Sequence, residues 1–194
     1  MSAPHLQVAV IVGSTREGRW GDKVAAWFAG EARGRADLLV DLVDLAELDL
    51  PASLPMHHGR EILAYAERID RADAFVVVTP EYNHSYPAGL KQAIDVLNTP
   101  WRRKPVAFVS YGGLSGGLRA VEHLRQVFAE LHATTIRETV SLHRHPLLFD
   151  DAGALIEPAG PAAAAEVMLD DLVWWAAALR TARAAGVADV AWSE

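Results

Sequence analysis

Short apolar runs alternate along this chain with segments of helical periodicity, and this alternation constrains the fold more than any other feature. Residues 6–12 and 74–79 form runs without a charged side chain, whereas residues 22–33 repeat apolar side chains at helical spacing. Strands that are apolar on both faces are typical of parallel sheets that are covered on both sides. The alternation therefore predicts an α/β fold in which helices cover both faces of a parallel sheet.

The complete pattern comprises five strands and five helices in a single domain that spans residues 1–194. The other elements are strands at 38–45, 106–110 and 134–140 and helices at 61–71, 88–97, 118–131 and about 162–184. One region departs from the alternation. Residues 143–161 contain three prolines and two glycines and are predicted to form a long loop before the C-terminal helix.

The composition excludes several kinds of chemistry. The chain has no cysteine, so disulfides, thiol nucleophiles and thiolate metal sites are excluded, and any redox chemistry must come from a bound cofactor. The net charge of −7 argues against a general nucleic-acid binder. The chain begins without a signal-peptide pattern and has no apolar run near the roughly 18 residues of a membrane span, so a cytoplasmic location is expected. The histidine pairs lack a third ligand at a recognisable spacing, and no metal site is expected.

Three loops are the places to look for a ligand, because open α/β sheets bind ligands beyond the carboxyl ends of their strands. The first loop, residues 13–21, places three glycines, Ser14, Thr15, Arg16 and Arg19 before a helix N-terminus, where backbone N–H groups and the helix dipole favour a dianion. The alternative is an ordinary turn with solvated arginines. Arg19 and Trp20 stand where a P-loop needs Lys and Ser or Thr, and the GxGxxG fingerprint is absent. A phosphate site of this kind fits a mononucleotide such as FMN.

The other two loops are suited to a flat ring. Residues 79–87 include two prolines, which stiffen a segment where Asn83 and aromatic side chains can frame a heteroaromatic ring. Residues 111–117 have four glycines in seven positions, so their backbone is open to a planar ligand. The dipole of the following helix would stabilise negative charge on the pyrimidine side of a reduced flavin. Taken separately, these loops are equally compatible with a structural turn and a flexible loop, but their common position at one sheet edge favours a shared ligand.

A longer motif points to a known family. Residues 79–95 read TPEYNHSYPAGLKQAID, and Gly13-Ser14-Thr15-Arg16 and the glycine loop that continues into Arg119 and residues 123–125 support the same match. Over residues 8–131 the chain thus resembles the NADPH-dependent FMN reductase family, whose form is TPEYN-x-S-x-P-x-x-LK-x-A-[IL]-D and which includes quinone, chromate and azo-dye reductases. The resemblance implies a flavodoxin-like fold with strand order 2-1-3-4-5, non-covalent FMN, NAD(P)H as co-substrate, and homodimers or homotetramers.

The resemblance also assigns residues to the parts of FMN. The phosphate would be held by the first loop, through Ser14, Thr15, Arg16, Arg19, Trp20 and Gly21. The flavin would be bordered by the second loop, through Pro80, Glu81, Tyr82, Asn83 and Ser85, although Glu81 would alternatively make a structural or intersubunit ion pair. The ring and ribityl chain would be lined by Tyr111, Gly112, Gly113, Ser115, Gly116 and Gly117. The first loop departs from the common form GS-x-R-x-x-S-x-N, because Arg19 and Gly21 occupy the last Ser and Asn positions.

The implied activity is hydride transfer from NAD(P)H through FMN to a small oxidised acceptor, which is a flavin, a quinone, an azo compound or a metal oxyanion, by a ping-pong mechanism. Because the cofactor carries the chemistry, no catalytic side chain is assigned, and Tyr82 and His84 are only candidate proton donors. The main alternative is an FMN-binding electron-transfer flavodoxin without NAD(P)H activity. A P-loop-like nucleotide hydrolase is disfavoured by Arg19-Trp20.

Overall fold

The sheet of this protein, seen in a computed structural model that describes residues 5–186, has the architecture that the alternation predicts. Five parallel strands pair in the order β2-β1-β3-β4-β5, which confirms the predicted fold class and strand order. The strands are β1 (Leu6–Val12), β2 (Leu38–Asp44), β3 (Ala74–Pro80), β4 (Pro105–Gly112) and β5 (Thr134–His143).

The helices pack on both faces of this sheet. They are α1 (Gly21–Arg33), α2 (Arg60–Arg71), α3 (Ala88–Asp95), α4 (Leu118–Glu130) and α5 (Ala159–Ala184). Within residues 5–186, no helix combines the length and the hydropathy that crossing a membrane requires. Most predicted bounds are within two residues of these, but β5 continues to His143 because its pairing with β4 extends to the Gly112–His143 register pair.

The segment predicted as a long loop at 143–161 is shorter than expected. His143 is the last residue of β5, and α5 begins three residues before the predicted position, at Ala159. Between these elements the chain forms a 3-10 turn over His145–Leu148 and an antiparallel bridge between Phe149 and Leu155. Phe149 is buried, so this segment packs against the domain instead of extending away from it.

The apolar character of the strands is explained by two cores, one on each face of the sheet. Val8, Val10 and Val12 of β1 pack with α1 and α5, whereas Ala9 and Ile11 pack with α2, α3 and α4. Successive side chains of a strand point to opposite faces, so a strand covered on both sides must be apolar at every position. Each buried valine or isoleucine stabilises the fold by about 1.5–3 kcal/mol relative to an exposed one.

Lys104 binds the C-terminal end of α2 at the edge of the sheet where the strands begin. Its ammonium group is buried and donates to the carbonyl oxygens of Ile69 and Asp70, at 3.0 and 2.7 Å. These carbonyls belong to the last turn of α2, where intrahelical N–H donors run out, and that of Ile69 also accepts from the N–H of Ala72 at 3.3 Å. Burial lowers the pKa of Lys104 from 10.5 to about 8.

The buried ammonium predicts a pH dependence of stability. Between about pH 8 and 10.5, the unfolded chain binds more protons at Lys104 than the folded one, so the free energy of unfolding should rise with pH across this window by on the order of 2 kcal/mol. Urea unfolding of the Lys104→Met variant should lack this contribution. Lys91→Met removes an ammonium group that is paired with Asp95 on the surface of α3, and controls for the lost charge. If the free energy of unfolding rises equally with pH in the wild type and in Lys104→Met, the assignment of this pH dependence to Lys104 is contradicted.

Candidate functional site

Three loops meet at the carboxyl edge of the sheet, as the sequence predicts. Loop A (residues 13–20) follows β1, loop B (residues 81–87) follows β3, and loop C (residues 113–117) follows β4. β1 and β3 are neighbours although β2 lies between them in sequence, so the chain leaves the sheet in different directions there and opens a crevice. Loops A and B touch through the hydroxyl groups of Ser14 and Tyr82, whose oxygens are 2.8 Å apart.

Loop A is held to the sheet by an ion pair. The guanidinium group of Arg19 binds both carboxylate oxygens of Asp44, the last residue of β2, and also donates to the carbonyl oxygen of Ser14 at 2.6 Å. Asp44 in turn accepts from the N–H of Ala46 at 3.0 Å. Both charged side chains are largely buried. Arg19, a predicted phosphate contact, is thus already paired within the protein, whereas Thr15 and Arg16 are exposed at the surface of the loop.

Loop A ends at the N-terminus of α1, which is suited to binding an anion. No side chain among the described residues caps this N-terminus, so the first backbone N–H groups of the helix lack partners. A Cβ atom at Gly21 would lie 2.8 Å from the hydroxyl oxygen of Tyr111, so only glycine permits this close approach. The Tyr111 hydroxyl is buried and makes no well-formed hydrogen bond within residues 5–186, and burial raises its pKa, which the nearby Ser14 hydroxyl offsets only in part. An unpartnered donor beside a helix N-terminus fits a phosphate group.

Loop B is a tight turn with its tip in solvent. Tyr82 and Ser85 exchange backbone hydrogen bonds of 2.8 and 3.0 Å, and Asn83 and His84 between them have φ values of 49° and 74°. Positive φ at both central residues is the property of a type I′ turn, which asparagine tolerates better than most residues. The hydroxyl group of Ser85 lies 2.9 Å from Nδ1 of His123, which joins the turn to α4.

Glu81 connects loop B with loop C. Its side chain is only 5% exposed and accepts from the Ser115 hydroxyl at 2.5 Å and from Nε of Arg119 at 2.6 Å, and the backbone N–H of Arg119 donates to it at 3.3 Å. Burial raises the pKa of the Glu81 carboxyl, but the hydrogen bonds from Arg119 and Ser115 outweigh burial and hold it below its usual value. Of the two alternatives for Glu81, the structure thus has an ion pair within the chain.

Loop C is folded tightly on one side and open on the other. Gly117 has a φ of +89°, and a Cβ atom there would lie 2.7 Å from Cβ of Ser110, so this position requires glycine. The carbonyl of Gly116 accepts from the hydroxyl groups of Ser110 and Ser141, at 2.8 and 3.0 Å. By contrast, a Cβ atom at Gly113 would meet no atom within 4 Å. This open backbone fits the close approach of a planar ligand.

The predicted residues of the three loops thus lie together at one edge, but some of them contact other parts of the protein. Trp20 packs against the ring of Phe149, with centroids 5.7 Å apart, and Arg19 and Glu81 are in ion pairs. Sequence reasoning did not assign Asp44 or His145 to the site. Asp44 was detectable in principle, because it ends a strand at the same edge. No local pattern indicates His145, whose place depends on the fold of the segment after β5.

The Glu81–Arg119 pair predicts a loss of stability when the cation is removed. Arg119→Leu should lower the free energy of unfolding by about 1–2 kcal/mol, because a buried carboxylate is left without its partner, although Arg119 itself is half-exposed. Arg137→Leu is the matched control, because Arg137 is 90% exposed and paired with Glu138 at the surface, where about 0.5 kcal/mol or less is expected. Equal losses for the two variants in urea unfolding would contradict a structural role for the pair.

Comparisons with known proteins agree with the geometry of this site. The family model of NADPH-dependent FMN reductase matches residues 6–146. An NAD(P)H-dependent FMN reductase of Schizosaccharomyces pombe is 37% identical over 122 residues, which cover 57% of this chain and 60% of that protein, so this chain spans less than two thirds of that relative. A quinone reductase of Escherichia coli K12 is 36% identical over 140 residues, which cover 69% of this chain and 74% of the relative.

A solved structure extends the agreement to the fold. The flavoenzyme FerB, an NAD(P)H:(acceptor) oxidoreductase from Paracoccus denitrificans, superposes with a TM-score of 0.71 and 26% identity, covering 88% of this chain and 97% of that one. The match of the family model over most of the chain confirms the predicted resemblance and the oxidoreductase class, with FMN as cofactor and NAD(P)H as co-substrate. This chain therefore belongs to the NADPH-dependent FMN reductase family.

Proposed function

We propose that the protein catalyses hydride transfer from NAD(P)H, through FMN, to a small oxidised acceptor in the two half-reactions of a ping-pong cycle. The observation that carries this proposal is the meeting of loops A, B and C beside the β1–β3 boundary, with the uncapped start of α1 and the open backbone of Gly113 at the same edge. The proposed acceptors are flavins, quinones, azo compounds and metal oxyanions. The similarity to a quinone reductase supports the quinone.

The phosphate group of FMN would be held at the start of α1. Thr15 offers an exposed hydroxyl group there, and Arg16 offers an exposed positive charge. The hydroxyl group of Ser14 is buried and lies 2.8 Å from that of Tyr82, so Ser14 would share this contact with the phosphate. The unpartnered hydroxyl group of Tyr111 is a further donor beside this helix start. Arg19 would contribute indirectly, because its guanidinium is already in an ion pair and fixes the carbonyl group of Ser14.

The flavin ring would be held between loops B and C. One side consists of Pro80 at the end of β3 and of Glu81, Tyr82, Asn83 and Ser85 in loop B. The other side consists of Tyr111 and Gly112 at the end of β4 and of Gly113, Ser115, Gly116 and Gly117 in loop C. Bound there, FMN supplies the hydride-transfer chemistry. The protein provides orientation: the hydrogen bond from Ser115 to Glu81 fixes loops B and C relative to one another, and Ser14 fixes the hydroxyl group of Tyr82. Tyr82 and the exposed His84 are the candidate proton donors.

A homodimer or homotetramer in the cytoplasm belongs to the same proposal. Leu114 and Leu118, in and next to loop C, are 85% and 43% exposed, and Leu147 in the segment after β5 is 73% exposed. Apolar side chains of this size that remain exposed beside a ligand site support a second subunit that covers them.

The proposed activity predicts that NADPH reduces the bound flavin. Under nitrogen, the absorbance band of oxidised flavin in the FMN-loaded protein should bleach when one equivalent of NADPH is added. A quinone added afterwards should restore the band without further NADPH, because the two half-reactions are separate. Double-reciprocal plots of the steady-state rate should give parallel lines.

The outcome also separates the competing function. An electron-transfer flavodoxin would bind FMN but keep its oxidised band after NADPH is added, and this result would overturn the reductase proposal. Bleaching by NADPH without reoxidation by any of the four acceptor classes would overturn the proposed acceptors while leaving the first half-reaction in place.

A further inference from the structure

Three consecutive carbonyl groups at the start of loop C are bound by three consecutive residues that follow Leu142. Nδ1 of His145 lies 3.2 Å from the carbonyl oxygen of Gly112, the N–H of Arg144 lies 2.9 Å from that of Gly113, and Nδ1 of His143 lies 3.0 Å from that of Leu114. We call His143, Arg144 and His145 the clip. A carbonyl oxygen only accepts hydrogen bonds, so both imidazole rings must donate through a protonated Nδ1.

The clip determines the direction of the neighbouring N–H groups. In a trans peptide unit, the carbonyl of one residue and the N–H of the next point in opposite directions, and the described residues contain no cis peptide bond. Since the carbonyls of Gly112, Gly113 and Leu114 point to the clip, the N–H groups of residues 113, 114 and 115 point away from it. Within residues 5–186, these three N–H groups have no protein acceptor. A row of N–H groups with one orientation binds anions and carbonyl oxygens.

The same side of loop C is accessible to a ligand. Gly113 has open space where a side chain would stand. Two residues earlier, the carbonyl of Tyr111 accepts from the N–H of Glu81 at 3.2 Å and thus points toward β3. Successive carbonyls of β4 point alternately toward β3 and toward β5. The carbonyl of Gly112 points to the β5 side, and the N–H of Gly113 therefore points to the side of β3 and loop B. The row of N–H groups thus begins on the side of the crevice.

His145 is fixed by the aromatic residues around it. Its ring lies edge-on to Tyr111 and to Trp20, with centroids 5.1 and 5.8 Å apart. Burial lowers the pKa of His145, and the hydrogen bond to the carbonyl of Gly112 opposes this shift only in part. Arg144 has a left-handed φ of 51°, an uncommon conformation for arginine that the surrounding structure must hold. His143 also lies 3.2 Å from the Ser141 hydroxyl through its other nitrogen.

We propose that His143 and His145 are positioning residues that orient the N–H groups of loop C toward the oxygen- and nitrogen-rich pyrimidine edge of bound FMN. The proposal rests on the proposed function, because it assumes that FMN binds between loops B and C. It adds a role for two histidines that lie outside the set of residues proposed above to contact FMN. Their contribution is the direction of the backbone donors, which stabilise negative charge on that edge more strongly than a mobile loop would.

The test replaces the donor atoms one at a time. His143→Ala and His145→Ala remove Nδ1, whereas His143→Asn and His145→Asn place an amide nitrogen at its position, and the corresponding glutamine variants place the nitrogen one bond farther out. The dissociation constant of FMN is measured by titration, and the midpoint potential of bound FMN by equilibration with redox dyes. Unfolding in urea verifies that each variant is folded.

The expected pattern distinguishes a hydrogen bond from general packing. Each alanine variant should bind FMN more weakly, and a variant that combines His143→Ala with His145→Ala should bind it about tenfold or more weakly and with a lower midpoint potential, because the reduced form carries more charge on the pyrimidine edge. The asparagine variants should recover most of both values, and the glutamine variants should not. If the wild type does not bind FMN, the proposed function fails. If the wild type binds FMN and the folded alanine variants match it, or if asparagine restores no more than glutamine, the clip proposal fails.

Discussion

The adjacency of β1 and β3 is the constraint on which the candidate site depends. The register pairs these strands from Val8 and Ala74 to Val12 and Val78, and the N–H of Gly13 continues the ladder by donating to the carbonyl of Val78 at 2.8 Å. Both strands end at the same edge of the sheet, but α1 packs on one face of the sheet and α3 on the other. Loops A and B therefore diverge from a common point, and the crevice between them follows from the strand order alone.

The charged side chains around this crevice mainly hold its walls in place through ion pairs, and most of them are not free to bind a ligand. Arg19 binds Asp44 across to β2, and Glu81 binds Arg119 across to α4. Ion pairs with buried partners keep one geometry because a lone buried charge is costly. The donors left for a ligand are backbone N–H groups, hydroxyl groups and the exposed Arg16, which is a set suited to a phosphate and a flat polar ring.

The fold was predictable from sequence because it rests on local patterns, whereas the site was predictable only in part. The five strands and the three loops follow from apolar runs and helical periodicity, whereas the strand order was implied by the family resemblance that the motif of residues 79–95 carries. The partners of the side chains did not follow. Arg19 meets an acid 25 residues away, and His145 reaches Gly112 only because β5 continues to residue 143 and the chain then turns back. Such contacts depend on how distant elements pack, which no local pattern encodes.

The central claim is that the three loops form one FMN site, and a titration of FMN against a glycine variant tests it most directly. A Cβ atom at Gly113 meets no protein atom within 4 Å, so Gly113→Val should keep the stability of the wild type but bind FMN at least about tenfold more weakly. The control is Gly30→Val, at an equally open position on α1, which should bind FMN as the wild type does. The wild type should bind one FMN per chain. Equal affinities for the wild type and Gly113→Val would contradict the claim.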